Sequence, residues 1–464
     1  MQNQFEQNAG SFRDPCGVVY QQGNLIFRTI NNCYKEHWDY CISSRFFETA
    51  IKKQLLLPFD EVNPINNTCY KTIQSQFLPI ISYPSEWSFS QYKDAALLTL
   101  DLLDEALSHD IVLKDATAYN IQFIGSKPIF IDHLSFEKRD PHKPWKAYLQ
   151  FCKHFLAPLA IMAKCSLSCN RMMSCYIDGI PLDVASSLLP WKTKFSLSLG
   201  IHIHAHAKMQ AKYGDAREAA TKIKSIKIDE DGLKKLSQSL RYAIESLELP
   251  HHLSTEWGDY YTDTNYTSKG ANHKMQLLET IAKNNQYKDL AIDIGANQGV
   301  YSKFLAKEYK NVMAIDIDYL AIEKLYLQLK KENNTSITPL VFDLGNPTPA
   351  IGWANKERMN LTERIKASYL SALALVHHLY FTAGIPLDKM AEYFSGLLVT
   401  GGILAFEFVP LEDSQVKRLL AAKEDTYPDY NLENCLQCFG NYFEIMEKHA
   451  IEESVRTLIV LKKK

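Results

Sequence analysis

Two glycines and a carboxylate stand at the ends of two successive apolar runs in the second half of the chain. Gly295 and Gly299 follow the run Leu290–Ile294, and Asp316 closes the next run. Glycine tolerates the positive φ values that such a turn can need, and it lets a ligand come close to the backbone. A carboxylate about twenty residues after the first glycine is placed to bind both hydroxyls of a ribose. The spacing therefore predicts a nucleotide-type binding site.

Two parallel strands must bring these residues together. The run Leu290–Ile294 is short and apolar, as expected of a strand buried on both faces of a parallel sheet. Residues 300–309 predict a helix whose N-terminus points at the glycine loop. The loop reads Asp-x-Gly-x-x-x-Gly and lacks the middle glycine that lets a dinucleotide pyrophosphate approach the backbone. A mononucleoside-like ligand therefore fits better than NAD.

These residues resemble the first motif and the ribose-binding acid of the class I S-adenosylmethionine (SAM)-dependent methyltransferases. The resemblance covers roughly residues 250–464 and implies that SAM is the cofactor. In that family the glycine loop faces the methionine part of SAM, and an acid after the third strand meets the adenine. The cofactor-binding residues implied in this way are Asp293, Gly295, Asn297, Gly299, Asp316 and Asp343.

The order of the later elements also matches that family. Residues 368–378 would be the fourth strand and its exit, residues 402–408 the fifth strand, and residues 443–461 a closing hairpin. The resemblance implies an α/β fold with a Rossmann-like sheet of seven strands. It also implies that the end of strand four lies beside the transferable methyl group.

His377 and His378 occupy that position. Imidazole titrates near neutral pH, so one of them is the best available general base for an oxygen nucleophile. Side chains of neighbouring residues at a strand end diverge, so we expect only one of them to face the methyl group, with a slight preference for His377. The alternative is that both histidines shape the pocket wall.

Aromatic residues precede the first strand of this domain, in the segment 255–266. In methyltransferases of this class that segment often folds across the cofactor, where aromatic faces can lie against the sulfonium. The alternative is an aromatic cluster that fixes the linker to the domain surface. The candidates are Tyr260, Tyr261, Asn265 and Tyr266.

The methyl acceptor is a small molecule or a protein side chain. No Asn- or Asp-Pro-Pro-aromatic motif follows strand four, which argues against amino methylation of nucleic-acid bases. Residues 352–358 with Arg364 could recognise an anionic acceptor, or they could form a charged surface helix.

The first half of the chain carries a second set of polar residues. Asp115 and Asn120 are five positions apart, and Asp132 ends the later run Pro128-Ile-Phe-Ile. The set resembles the catalytic loop and metal-binding segment of protein-kinase-like phosphotransferases, where such residues hold a base and metal ligands around ATP. The resemblance implies an α+β kinase-like domain with a helical lobe.

The match weakens outside these three residues. Leu113-Lys114 stands where His-Arg is expected, and residues 17–23 lack the three-glycine pattern. Arg28 and Glu48 have about the separation of the kinase ion pair. A degenerate scaffold is therefore the default, and a bifunctional enzyme with a Mg-ATP site is the lesser alternative.

Metal sites are not predicted. His202, His204 and His206 would line one face of a strand, but on a helix they diverge, and the residues that follow are helical in character. Cys435 and Cys438 form one pair, which cannot complete a tetrahedral zinc site.

The length of 464 residues predicts separate regions at 1–140, 141–250 and 251–464. A formal charge of −2 gives no sign of a nucleic-acid partner. The chain starts without a signal-peptide core and has no apolar run of membrane-spanning length. Together with ten scattered cysteines, these features predict a cytoplasmic protein with reduced thiols and no membrane partner.

Overall fold

The structure is a computed structural model, which describes residues 5–141, 143–212, 229–250, 266–421 and 426–464. The first strands of the chain form one antiparallel sheet. The five strands have the order β1-β2-β3-β5-β4, and helices α1 (Lys35–Ser43) and α2 (Phe46–Lys52) connect β3 to β4. The strands are Glu6–Gln7 (β1), Val19–Gln22 (β2), Leu25–Asn31 (β3), Phe59–Val62 (β4) and Cys69–Gln76 (β5).

A long helix, α3 (Phe89–Leu107), follows this sheet and lies in the core. Ser88 caps its N-terminus in a capping box with Gln91, which satisfies two backbone N–H groups. Ala96, Leu100, Leu103 and Leu107 lie on one face of this helix and are fully buried, as expected of an amphipathic helix. Two short two-stranded sheets follow. One pairs β6 (Ile111–Leu113) with β9 (Phe136–Lys138), and the other pairs β7 (Ile121–Ile124) with β8 (Lys127–Phe130).

The middle of the chain is helical, as predicted. Its α-helices are Tyr148–Phe151 (α4), Ala157–Lys164 (α5), Leu182–Leu188 (α6), Leu197–Leu199 (α7), His206–Lys212 (α8) and Glu230–Glu245 (α9). Two segments between them, Cys152–Leu156 and Gly200–Ala205, have π-helical hydrogen bonding. Leu167–Ser174 and Trp191–Phe195 are 3-10 turns.

The C-terminal half contains a seven-stranded sheet. Counted within this sheet, the strands lie in the order third, second, first, fourth, fifth, seventh, sixth, and the seventh is antiparallel to its neighbours. The strands are Leu290–Ile294 (β10), Asn311–Asp316 (β11), Ile337–Val341 (β12), Ala367–Ala372 (β13), Leu398–Phe408 (β14), Phe443–Ala450 (β15) and Thr457–Lys463 (β16).

Helices cover both faces of this sheet, which is why its central strands are buried along their whole length. The helices are Ser268–Asn284 (α10), Val300–Glu308 (α11), Tyr319–Lys331 (α12), Leu361–Arg364 (α13), Val376–Phe381 (α14), Leu387–Leu397 (α15), Ser414–Leu420 (α16) and Leu432–Gly440 (α17). None of the helices in the described ranges is long and apolar enough to cross a membrane.

The two halves share one hydrophobic core. A continuous cluster of buried residues runs from β3 and α3 through α5 to β10, β13 and β14. Polar contacts accompany it: Gln91 Nε2 donates to the carbonyl of Pro339 at 2.9 Å, and Tyr326 Oη donates to Asp94 at 2.6 Å. The division into three regions stays a prediction from the sequence.

Candidate cofactor and methyl-transfer site

The glycine loop joins β10 to α11 through three residues with positive φ. Gly295 and Gly299 both have φ of 75°, and Asn297 between them has φ of 48°. The amides of Gly295 and Ala296 donate to the carbonyl of Ile315 at 2.9 and 3.0 Å, which holds the loop against β11. A Cβ at Gly295 would meet no atom within 4 Å, so the cleft is open above this residue.

Asp316 lies at the end of β11 and faces the same loop. Its Oδ2 accepts the amide of Asn297 at 2.8 Å, and its Oδ1 accepts the amide of Asp318 at 2.9 Å. Burial raises the pKa of this carboxyl, and the two backbone donors oppose that rise. A carboxylate offers about four acceptor positions, so capacity remains for ligand hydroxyls.

Asp293 has a supporting position below the loop. Its side chain is buried, Ser302 donates to Oδ2 at 2.6 Å, and Ser371 donates to Oδ1 at 2.7 Å. Burial raises the pKa of Asp293 to about 6, although both serine hydrogen bonds lower it. These contacts tie the first strand to the helix that follows and to the fourth strand, which fixes the geometry of the loop.

Asp343 follows β12 and contacts the helical middle region. Its Oδ1 accepts the amide of Gly345 at 2.8 Å, and Arg171 of the 3-10 turn Leu167–Ser174 lies 3.1 Å from its Oδ2. A residue of the first half of the chain therefore binds the acid that the family resemblance assigns to adenine. Local sequence patterns could not predict this pairing, because 172 positions separate the two residues.

The histidine pair lies on a helix and not at the strand exit. The fourth strand ends at Ala372, and His377 and His378 belong to α14. The expectation that their side chains diverge is wrong, since the ring centroids are 4.1 Å apart. Consecutive residues on a short helix can turn their rings against each other when both pack into one corner of the core.

The two rings differ in exposure. His377 is buried, and its Nδ1 is a buried polar atom without a hydrogen-bond partner among the described residues. Burial lowers the pKa of His377 to about 3, helped by the neighbouring His378 and by Arg456. His378 is half-buried, and burial followed by the charge of Arg456 lowers its pKa.

A network of buried charged side chains lies beside the histidines. It was not predicted from the sequence. Glu407, at the end of β14, is fully buried and contacts Lys274, Arg456 and the hydroxyl of Tyr266. Arg456 also binds Asp413, with Nε 2.8 Å from Oδ2. Burial raises the pKa of Glu407, but the two cations outweigh it and hold the pKa at about 2. The pattern was not visible because its members come from three distant stretches of the chain, residues 266–274, residues 407–413 and Arg456.

Tyr266 belongs to this network. Its ring lies 4.9 Å from Lys274 Nζ and 5.0 Å from the Arg456 guanidinium carbon, both measured to the ring centroid. The ring thus contacts cations of the protein itself, and its role against a sulfonium stays a prediction. Tyr260, Tyr261 and Asn265 lie outside the described residues.

Arg364 is neither an exposed acceptor-binding residue nor part of a charged surface helix. Its side chain is 3% exposed and pairs with Glu86, which is fully buried. Its guanidinium also donates to the carbonyl of Ile81 and lies 4.3 Å from the ring centroid of Tyr83. Arg364 therefore joins the two halves of the chain.

The kinase-like residues of the first half come together. Asn120 donates to Ser135 at 3.1 Å, and Ser135 donates to Asp132 at 2.8 Å. Asp115 accepts Gln150 at 2.7 Å, and its pKa is raised by burial and by the charge of Asp132.

Arg28 takes a different partner from the one suggested by kinase spacing. Its Nη1 lies 2.8 Å from Asp132 Oδ1, whereas Glu48 is exposed and its Oε2 lies 4.0 Å from Nε of Arg45. Arg28 therefore forms an ion pair with Asp132, the carboxylate that would be a metal ligand in a kinase. The kinase-like assignment stays a prediction from the sequence.

The three alternate histidines are on helical backbone, and His202 and His204 have different hydrogen-bond partners. His202 lies 2.8 Å from both Tyr148 Oη and Ser239 Oγ, and His204 lies 2.7 Å from Ser186 Oγ. Over the described ranges, no group of three His, Cys, Asp or Glu side chains could hold a metal ion.

A relative of known sequence matches almost the whole chain, and several solved structures overlap with part of it. The chain is 30% identical to the nodulation protein NoeA of Rhizobium meliloti (strain 1021) over 462 residues, which covers 97% of this chain and 94% of the relative. No protein-family profile matches.

The N-methyltransferase NodS of Bradyrhizobium japonicum WM9 overlaps with 42% of this chain and 97% of its own, at 14% identity and a TM-score of 0.32. Magnesium protoporphyrin IX methyltransferase of Synechocystis PCC 6803, solved with bound SAH, overlaps with 45% of this chain and 93% of its own, at 15% identity and a TM-score of 0.31. Because these overlaps are partial, the assignment of the fold rests on the strand order.

Proposed function

The chain belongs to the family of the nodulation protein NoeA, and we propose that its C-terminal half is a SAM-dependent methyltransferase acting on a small-molecule or protein acceptor. The relative's name refers to nodulation and to no reaction, so the activity is argued from the site. The observation that carries the proposal is the position of two features in a sheet whose parallel strands have the order third, second, first, fourth, fifth. The glycine loop follows the first strand, β10, and Asp316 ends the second strand, β11, which is adjacent to it.

The site suits SAM on three counts. Ligands of open α/β sheets bind outside the carboxyl ends of the strands, at the point where the strand order reverses, and β10 stands at that point. The open space above Gly295 admits a ligand close to the backbone. Asp316 is fixed by two backbone amides and retains acceptor capacity for ribose hydroxyls.

Bound SAM supplies a methyl group that is already activated for transfer. The chain then has to hold a nucleophile in line with that group and, for an oxygen nucleophile, to accept its proton. We assign the proton to an imidazole nitrogen of His378, because His377 is buried and its pKa of about 3 makes it a weak base. The buried network around Glu407 joins β14 to α10 and to the closing hairpin.

The cofactor part of the proposal is tested by calorimetry with SAM. Asp316→Asn removes the charge from the acceptor of the ribose hydroxyls, and we expect its Kd for SAM to rise about ten- to a hundredfold, since hydrogen bonds to charged groups contribute about 1.5–3 kcal/mol. Asp289→Asn is the matched control, because Asp289 is 75% exposed and pairs with Lys310 at the surface. Failure of the intact protein to bind SAM would refute the proposal.

The transfer part is tested with SAM that carries a radiolabelled methyl group. The full chain is incubated with this SAM and a cell lysate, and the label is followed into protein and into small molecules. Label in either fraction that depends on Asp316 supports a methyltransferase and identifies the acceptor class. Binding of SAM without any transfer would instead indicate a non-catalytic SAM-binding protein.

A further inference from the structure

The helical middle region presents an apolar tip to solvent. We use this term for Trp191, Phe195 and Leu197, together with Leu188 and Ile201 beside them. Their side chains are exposed to an extent unusual for large apolar residues of one segment. The exposed fractions are 66% for Trp191, 79% for Phe195, 78% for Leu197, 48% for Leu188 and 52% for Ile201.

The apolar tip is held firmly from below. Thr193, in the middle of the 3-10 turn Trp191–Phe195, is buried, and its Oγ1 lies 2.8 Å from His204 Nε2 and donates to the carbonyl of Pro190 at 2.6 Å. The rings of Trp191 and Phe195 pack edge to face with centroids 5.7 Å apart. The turn is thus fixed to buried groups while its large side chains point outward.

Positive charge surrounds the apolar tip. Residues 184–212 contain four lysines and no aspartate or glutamate. Lys192 and Lys194 alternate with the aromatic residues, and both are exposed. Lys164 and Lys192 also line an adjacent groove of about 630 Å³, together with the serines Ser196 and Ser198.

We propose that the apolar tip docks on the surface of a lipid bilayer that contains anionic lipids. Tryptophan and other large apolar side chains prefer the boundary between headgroups and acyl chains, and lysines beside them attract anionic headgroups. Exposed apolar side chains rimmed by polar residues mark interaction sites. A segment such as residues 184–212, which contains lysines and no carboxylates, suits a negative, deformable surface.

This interaction is distinct from a membrane-spanning segment. The sequence-based expectation of no membrane partner came from the length of apolar runs, which tests for spanning helices and not for contact at the surface. The proposal also does not depend on methyl transfer, because none of the residues of the apolar tip belongs to the cofactor site.

The test is flotation of the full chain with vesicles of phosphatidylcholine alone or with added phosphatidylglycerol. We expect binding only to the anionic vesicles, and Lys192→Ala with Lys194→Ala to weaken it about thirtyfold, from the contribution of each lysine near such a surface. Phe195→Ser with Leu197→Ser should weaken it about tenfold or more through lost apolar contact. The midpoint of thermal unfolding shows whether each variant is folded.

Controls use residues of matched exposure elsewhere. Trp353→Ser removes an aromatic side chain that is 74% exposed on the other half, and we expect it to leave vesicle binding unchanged. Absence of binding to anionic vesicles, or binding that the variants of the apolar tip do not weaken, would overturn the proposal. A dimer in solution that Phe195→Ser with Leu197→Ser converts to a monomer, without vesicle binding, would also overturn it.

Discussion

The two residues of the histidine pair are of one type but differ in burial and therefore in their ability to act as a base. His377 and His378 are neighbours in sequence and in contact, yet only His378 is half-buried. A buried imidazole loses its proton easily and is a weak base, whereas a half-buried imidazole is accessible to an acceptor and can take its proton. The difference leads to a prediction for each residue.

We expect His378→Gln to lower methyl transfer about 10²- to 10⁴-fold for an oxygen acceptor, the range typical of lost general-base catalysis. SAM affinity should stay unchanged, as calorimetry can check. Because burial lowers the pKa of His378, wild-type transfer should fall only when the pH drops below the usual titration range of histidine.

His377→Gln is the matched variant. It should reduce stability and leave the pH dependence of transfer unchanged. If His377→Gln abolishes transfer in a folded protein while His378→Gln does not, the assignment of the base to His378 is wrong.

We expect His202 to make the folded protein sensitive to acid. Burial and the nearby His206 lower the pKa of His202 to about 4, compared with about 6.5 in the unfolded chain. The unfolded state therefore takes up the proton first as the pH falls, and the free energy of unfolding decreases between about pH 6.5 and pH 4. The contribution of this residue is on the order of 3 kcal/mol.

Urea unfolding at pH 7 and pH 5 tests this prediction. His202→Gln keeps a side chain that can bond to Tyr148 and Ser239 but does not titrate, so its loss of stability between the two pH values should be smaller than that of the wild type. An equal loss in both proteins would show that other groups cause the acid sensitivity.

At the scale of elements, the glycine loop offers a matched pair of substitutions. Gly295 and Gly299 have the same φ of 75°, so an alanine at either position bears the same backbone cost of about 1–2 kcal/mol. A Cβ at Gly299 would lie 2.6 Å from Leu325 Cδ1, whereas at Gly295 it would enter the open cleft. The two substitutions should therefore act on different properties.

We expect Gly299→Ala to lower the free energy of unfolding by about 1–3 kcal/mol more than Gly295→Ala does, because of overpacking against Leu325. Gly295→Ala should raise the Kd for SAM about tenfold or more, since its methyl group occupies the cleft. Denaturant unfolding and calorimetry measure the two effects. A loop that does not face the cofactor would show unchanged SAM affinity in Gly295→Ala.

The elements of the C-terminal half were largely predictable from local patterns. The first strand was predicted with its observed bounds, since a short apolar run ended by glycine is a strong local signal. Residues 368–378 were predicted as the fourth strand and its exit without a boundary between them; the strand ends at Ala372, and the apolar character of the chain continues through Leu375 and Val376 into α14. Apolar content alone does not mark where a strand gives way to a buried helix.

Long-range pairs could not be read from the sequence. The contact of Arg171 with Asp343 and the network around Glu407 join residues from distant segments. No local periodicity reports such contacts, because they depend on which distant segments pack together in the fold. For the same reason neither alternative considered for Arg364, an acceptor site or a charged surface helix, anticipated its partner Glu86 in the other half.

At the scale of the whole molecule, the halves are joined by a core and by buried charges. The continuous apolar cluster includes strands of both sheets, and Arg364 with Glu86 forms an ion pair within it. A buried charge left without its partner is strongly destabilising, whereas an exposed pair contributes little. The joint between the halves should therefore behave as part of the fold and not as a hinge.

We expect Arg364→Met to lower the free energy of unfolding by about 3–5 kcal/mol, because it leaves Glu86 charged and buried. Glu86→Gln in the same chain removes that charge and should restore part of the loss, while Lys389→Met, at a surface pair with Glu392, should leave the unfolding midpoint unchanged. Calorimetry should show a single unfolding transition in the wild type, because the halves share one core. Two resolved transitions, with Arg364→Met shifting neither, would show that the halves are thermodynamically independent and that the contact between them does not stabilise the fold.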